Sequence, residues 1–223
     1  MVALFVILFV VLLLAVDLII QARSKRYPLM SAVPAGTKAA SHRETLRIPK
    51  GVFFHPGHTW ARLQDGDSLS VGIDDFIQKA LGSIGSITLP AVGQFVRQGD
   101  PVITVEHAGK RMQLVAPVTG RITSVNRDVL ENPHLISENP YTDGWLFMVD
   151  ATEMAASLQT MHVAEQAISW IKEEVKRFRE FLAGSTLQPA VGEAMLDGGV
   201  PVAGSLDHLD ENALNEFEER FLR

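Results

Sequence analysis

The chain has 223 residues, 21% of them charged, with 26 acidic against 20 basic side chains and a formal net charge of −6. That balance argues against a nucleic-acid binder, which needs a basic surface. The absence of any cysteine excludes disulfides, thiolate metal sites and cysteine nucleophiles.

Residues 1–16 (MVALFVILFVVLLLAV) hold no polar side chain, and after Asp17 the run continues as LII. As a helix, these 20 residues rise about 30 Å, the thickness of a bilayer's hydrocarbon core. Asp17 lies near one end, where its carboxylate reaches the interface. No cationic residue precedes the run and no A-x-A-like site follows it, which argues against a cleaved signal peptide. Arg23, Lys25 and Arg26 come just after it, and the positive-inside rule then puts the C-terminal side in the cytoplasm. The expectation is a single-pass transmembrane anchor over 1–22, seated in the cell membrane through residues 1–20, with its N-terminus outside. Residues 23–50, with prolines at 28, 34 and 49 and no sustained period, read as a tether.

From residue 51 to 150 the pattern changes to short strand-like runs: 68–73, 86–89, 94–96, 101–106, 111–116, 120–126 and 145–149, with glycines between them. DDFIQKAL (74–81) has helical spacing and predicts one short internal helix, with Asp74 and Asp75 suited to its N-terminus. So many short strands and tight turns predict a mainly β fold, a sandwich or flattened barrel.

From Thr152 the period becomes helical through Met154, Leu158, Met161, Ile168, Ile171, Val175, Phe178 and Leu182. This predicts a long amphipathic helix over 151–183, whose seam is a candidate protein contact. Residues 184–205 are glycine-rich and read as a linker. Residues 206–223 predict an acidic tail helix with Leu206, Leu209, Ala213, Phe217 and Phe221 toward one side. Such a helix needs a surface, on its own chain or on another protein. Protein partners are therefore expected through 154–182 and 206–222.

Four segments of the 51–150 region, HTWARL (58–63), VGIDDFIQKALGSIGSITLPAVGQFVRQGD (71–100), VEHAGKRMQLVAPVTGRITSVN (105–126) and ENPHLISENPYTDGWLFMV (131–149), resemble the glycine cleavage system H protein in order and spacing. The resemblance implies a lipoyl/biotinyl-carrier-like domain, in which a lysine at a hairpin tip carries lipoic acid between partner enzymes. The family pattern at that tip is Glu-Ser-Val-Lys-Ala, followed at a fixed interval by Ala-Pro. Glu106 matches the glutamate and Ala116-Pro117 match the Ala-Pro, which puts Gly109 in the lysine's slot and Lys110 one place later. A one-residue shift turns a side chain to the other face of a strand. His58, Trp60, Gly120, Asn126, Pro140, Gly144 and Trp145 match family positions that read as structural, as does Pro117.

His55-x-x-His58 is half of a metal site with no further ligand at a plausible spacing, so no metal is expected. No P-loop, nucleotide fingerprint or G-x-S-x-G motif is present, and no catalytic constellation is found. Two readings follow. One is a membrane-anchored, H-protein-like scaffold or docking module without a cofactor. The other is a carrier of aminomethyl or acyl groups, lipoylated at Lys110.

Overall fold

The computed structural model describes residues 46–184, 200–207 and 209–223. The expected membrane anchor, the tether as far as residue 45 and most of the expected linker, 185–199, lie outside the described residues. Among the described residues, no helix is long and apolar enough to cross a membrane.

The fold is β-rich, with two sheets and helices around them. Strands β1 (Val52–Phe54), β2 (Thr59–Leu63), β3 (Ser68–Ile73), β5 (Phe95–Val96), β8 (Gly120–Val125), β9 (Phe147–Ala151) and β10 (His162–Val163) form one sheet in the order β10-β1-β2-β3-β9-β8-β5. Strands β4 (Ser86–Thr88), β6 (Pro101–His107) and β7 (Lys110–Val115) form the second, in the order β4-β6-β7, with antiparallel pairing throughout. Period-two alternation drives the arrangement. In β7, Met112 and Leu114 are buried while Arg111 and Gln113 face out. The inward residues meet Leu69, Val71, Ile73, Phe147 and Val149 in one core.

The predicted internal helix is α1 (Asp75–Leu81), capped by Asp74, whose carboxylate accepts from Ile77 N at 3.0 Å. Two further short helices follow β8: α2 (Arg127–Glu131) and α3 (His134–Glu138). Asn126 caps the first of these, and its side-chain amide donates to the carbonyls of Asp143 and Trp145 at 2.9 and 2.7 Å.

Three expectations are corrected. The predicted single helix over 151–183 is two, α4 (Met154–Gln159) and α5 (Glu165–Gly184), split by β10. Val163 pairs with Phe53 of β1, and Ala164 takes a φ of 52°, which no right-handed helix continues through. The seam shifts in consequence: Ile168 is exposed, while Ala167, Ile171, Val175, Phe178, Phe181 and Leu182 are buried. Secondly, the tether stops short of residue 50, because Leu46 and Ile48 pack on the core and Arg47 binds Asp75 through both its amide and its guanidinium. Thirdly, the linker stops before Val200, which is buried together with Ser205 and Leu206. The tail helix itself, α6 (Glu211–Phe221), lies on its own chain: Phe217 and Phe221 pack edge-on or tilted against Phe178 and Phe181 of α5 at centroid distances of 5.7–6.0 Å.

Candidate functional site

The β6–β7 hairpin closes on a two-residue turn, Ala108–Gly109, between the paired residues His107 and Lys110. Both turn residues have positive φ, 50° and 77°, the geometry whose twist matches the flanking strands. Gly109 adopts it without strain, and a Cβ there would meet nothing within 4 Å. The apex is therefore an exposed position without a functional group. Lys110 lies after it, as the first residue of β7.

The four polar side chains at this tip, Glu106, His107, Lys110 and Arg111, each have partners. Glu106 accepts from Ser86 Oγ at 2.9 Å and from Arg111 Nε at 2.8 Å. The serine bond first, then the arginine, hold its carboxyl below the usual value. His107 is buried, with Nδ1 donating to the Ser83 carbonyl and Nε2 meeting the Asp207 carboxylate. Lys110 Nζ donates to the carbonyls of Asp207 at 2.9 Å and Leu209 at 2.5 Å. The tail thus sits directly on the hairpin tip.

The seat continues along the tail. The last turn of a helix leaves carbonyls without intrahelical donors, and α1 has two of these met from the tail: Gly204 N donates to Lys79 O and Leu206 N to Ala80 O, both at 3.1 Å. Gly82 makes the approach feasible, since a Cβ there would fall 2.8 Å from Gly204 N. Asp210 then caps α6 by accepting from Ala213 N at 2.8 Å. At the far end Arg177 of α5 donates to Arg220 O at 2.7 Å, and its guanidinium lies 4.8 Å from the Phe221 ring centre.

A second polar centre is buried in the core. His58 is fully buried, with its Nδ1 2.7 Å from Asp74 Oδ2, its ring stacked on Phe76 at 4.5 Å and its Nε2 3.8 Å from Glu174 Oε2. The last contact is an ion pair too long for a hydrogen bond. Burial pushes the imidazole's pKa down, but the two carboxylates outweigh it and raise it to about 9. Glu174 also meets Arg177 Nη1 at 2.5 Å. Against burial, His58 and then Arg177 hold its carboxyl below the ordinary value. His55 is the converse. Burial, then the charge on His58, lower it to about 4, and its Nδ1 accepts from Gly57 N at 3.0 Å. The two histidines of the His-x-x-His pair thus turn to different partners, and among the described residues no three metal-ligating side chains converge.

The other residues singled out in the sequence lie in the frame. Trp60 is buried with its indole donating to Ile73 O at 3.0 Å, and Gly72 leaves room for its ring. Gly120 and Gly144 lie where a Cβ would collide with the carbonyls of Asp150 and of Asn139 and Leu135. Pro117 and Pro140 are buried and Trp145 partly so. The Pro117 carbonyl accepts from Gln98 Nε2 at 2.8 Å. Sequence reasoning missed Asp207 and Glu174 as partners. Asp207 is 100 residues from His107, and no local spacing signals such a contact. A single acid between Leu206 and Leu209, just before a helix cap, was the one available hint.

The family model for the glycine cleavage H-protein matches residues 52–174, just over half of the chain. The glycine cleavage system H protein of Coprothermobacter proteolyticus is 30% identical over 128 residues, 57% of this chain and 100% of that protein. That of Thermus thermophilus is 39% identical over 109 residues, 49% and 84% of the respective chains. The crystal structure of a glycine cleavage system H protein from Mycobacterium marinum is 32% identical, covering 47% of this chain and 87% of that one, with a TM-score of 0.45. With the family model spanning most of the folded body and a relative matched over its whole length, the chain belongs to the glycine cleavage H-protein family.

Proposed function

We propose that this chain is a membrane-anchored, H-protein-like docking module, not itself an enzyme, that carries no lipoate. In this reading residues 1–20 hold it in the cell membrane and the folded domain faces the cytoplasm. Gly109 occupies the position at which the family resemblance implies a lipoyl-lysine, and Lys110 has a different task.

One observation carries the reading: the Lys110 ammonium donates to two carbonyls of the tail. An ammonium has three hydrogens to give, whereas the amide nitrogen formed by acylation has one. Lipoate on Lys110 and the two tail contacts are therefore mutually exclusive. Lipoate does not fit this arrangement, because the apex residue has no amine and the neighbouring amine is committed. The polar groups of the His58 centre are buried beneath α5 and offer a substrate no access.

The test is the mass of the peptide spanning residues 105–121, taken from native membranes of cells whose other lipoyl proteins are loaded. The expected result is an unmodified Lys110. A lipoyl-sized increment there would replace the docking reading with that of a carrier.

A further inference from the structure

We propose that His107 and Asp207 form a proton-dependent latch. While one proton lies between them, it fixes the Asp207 turn of the tail against the hairpin tip. When that proton is lost, the turn loosens and the Lys110 amine is freed with it. The latch is a property of the tip and of the chain's own tail, and it stands independently of the docking reading above.

Donor and acceptor chemistry sets the proton count. The buried His107 ring faces an acceptor at each nitrogen, the Ser83 carbonyl at Nδ1 and the Asp207 carboxylate at Nε2. A carbonyl only accepts, so the one ring hydrogen of a neutral imidazole goes to Nδ1. Nε2 then presents a lone pair, and an ionised Asp207 has only lone pairs to set against it. The bond forms when one further proton lies between Nε2 and Oδ1, whether the imidazole or the carboxyl carries it. Without that proton two acceptors confront each other, and a buried Nε2 is left with no donor. The elements around the ring bring further charges. On the hairpin, Lys110 directs its ammonium to the Asp207 and Leu209 carbonyls, and Glu106 pairs with Arg111. Lys79 lies in the last turn of α1, and Asp210 of the tail caps α6. Among these acids, Asp207 is the one bonded to the ring.

Opening is local and leaves the tail in place. Asp207 sits on a run of tight turns, in which its own N–H donates to Gly204 O at 2.9 Å and Leu209 N donates to Leu206 O at 3.2 Å. Gly204 starts the run at a φ of 77°, and a Cβ there would fall 2.8 Å from the Asp207 carboxylate. Leu206 and Leu209 on either side are buried in the core, as are Phe217 and Phe221 of α6. The half-exposed Asp207 side chain lets the latch exchange its proton with water. A shift of this one turn also takes away both acceptors of the Lys110 ammonium, because they are the Asp207 and Leu209 carbonyls. One proton at His107 thereby governs access to an amine that makes no contact with it.

The experiment uses the full chain in lipid nanodiscs from about pH 6 to about pH 8.5, the range in which histidines act as switches. It stops short of the value of about 9 for His58. A water-soluble N-hydroxysuccinimide ester acylates accessible amines, and peptide mass gives the labelling of Lys110 relative to Lys172, which is exposed on α5. The ratio cancels the ordinary rise of amine reactivity with pH. In the native chain it should increase about tenfold across the range, the loss of one charge-assisted contact. His107→Gln has no proton to lose, so its ratio should be the same at every pH. Asp207→Asn offers an amide hydrogen to a neutral Nε2, so this latch needs no extra proton and should keep Lys110 protected at the alkaline end. The proposal is overturned if the native ratio is flat, if H107Q keeps the native profile, or if D207N opens as the native chain does. Should H107Q fail to fold, D207N decides alone, since its side chain is half-exposed.

Discussion

His58 and His107 are both buried imidazoles facing carboxylates, yet they belong to different layers of the molecule. Both partners of His58, Asp74 and Glu174, lie within the segment matched by the family model. The partner of His107 comes from outside it, and the Asp207 side chain keeps 40% of its surface exposed where that of Asp74 keeps 1%. Charges sealed from solvent interact strongly and fail together, while half-exposed ones are screened and can separate. The core centre is therefore a fixed joint. The tip contact is the more exposed and more separable of the two.

The largest effect expected would break both layers at once. Phe178 is fully buried between Phe76 on one side and Phe217 and Phe221 on the other. Phe178→Ala should cost about 3–5 kcal/mol in urea unfolding and should speed proteolysis of the tail.

A change in the core layer alone follows. His58→Gln leaves Asp74 and Glu174 buried without their cation and should cost about 3 kcal/mol. The same residue sets a pH dependence. Its folded pKa of about 9 lies above the ordinary 6.5, so its stabilisation is full below pH 6.5 and is lost as the pH rises toward 9, by about 3 kcal/mol. His55 has the opposite sign. Its folded pKa of about 4 lies below 6.5, so its contribution is present above pH 6.5 and is lost as the pH falls toward 4. Unfolding free energy should peak near pH 6.5, and H58Q should flatten the alkaline limb and, by removing a charge that helps lower His55, soften the acid limb to a smaller degree.

At the tip the effects shrink. Gly109→Lys introduces a side chain at a φ of 77° with open space around it, so it should cost only about 1–2 kcal/mol. In cells that lipoylate other proteins, the introduced lysine should gain a lipoyl mass. If it stays bare, Gly109 is not the displaced attachment position. The smallest change is Lys110→Ala, about 1 kcal/mol for a half-exposed charged contact. Its signature is a tail that is cut faster by protease while the near-ultraviolet signal of the core is unchanged.

The parts legible in the sequence were those whose signal is local. Among the described strands, all but β1, β2 and β10 were marked by strand-like runs, and a helical run after two aspartates marked α1. Three-residue β1 and two-residue β10 carry too little pattern to stand out. The five-residue helices α2 and α3 complete barely more than one turn each. The break at Ala164 was hidden because its cause, Val163 pairing with Phe53, is not local. At the site, Glu106, Gly109 and Lys110 were legible as a tip with a misplaced lysine. The use to which Lys110 is put was not, because its acceptors are main-chain carbonyls 97 and 99 residues away, which any residue type would supply.

The position of α6 has one more consequence. Strand β7 is the outer strand of its sheet, and an uncovered outer strand is a template on which another chain's strand can polymerise. The Gln113 amide of β7 is bonded to Glu218 of α6, and the Leu222 carbonyl closes over the Gly57 and Val115 end. Displacing the tail would uncover that edge, so a chain stripped of its tail would be prone to aggregate.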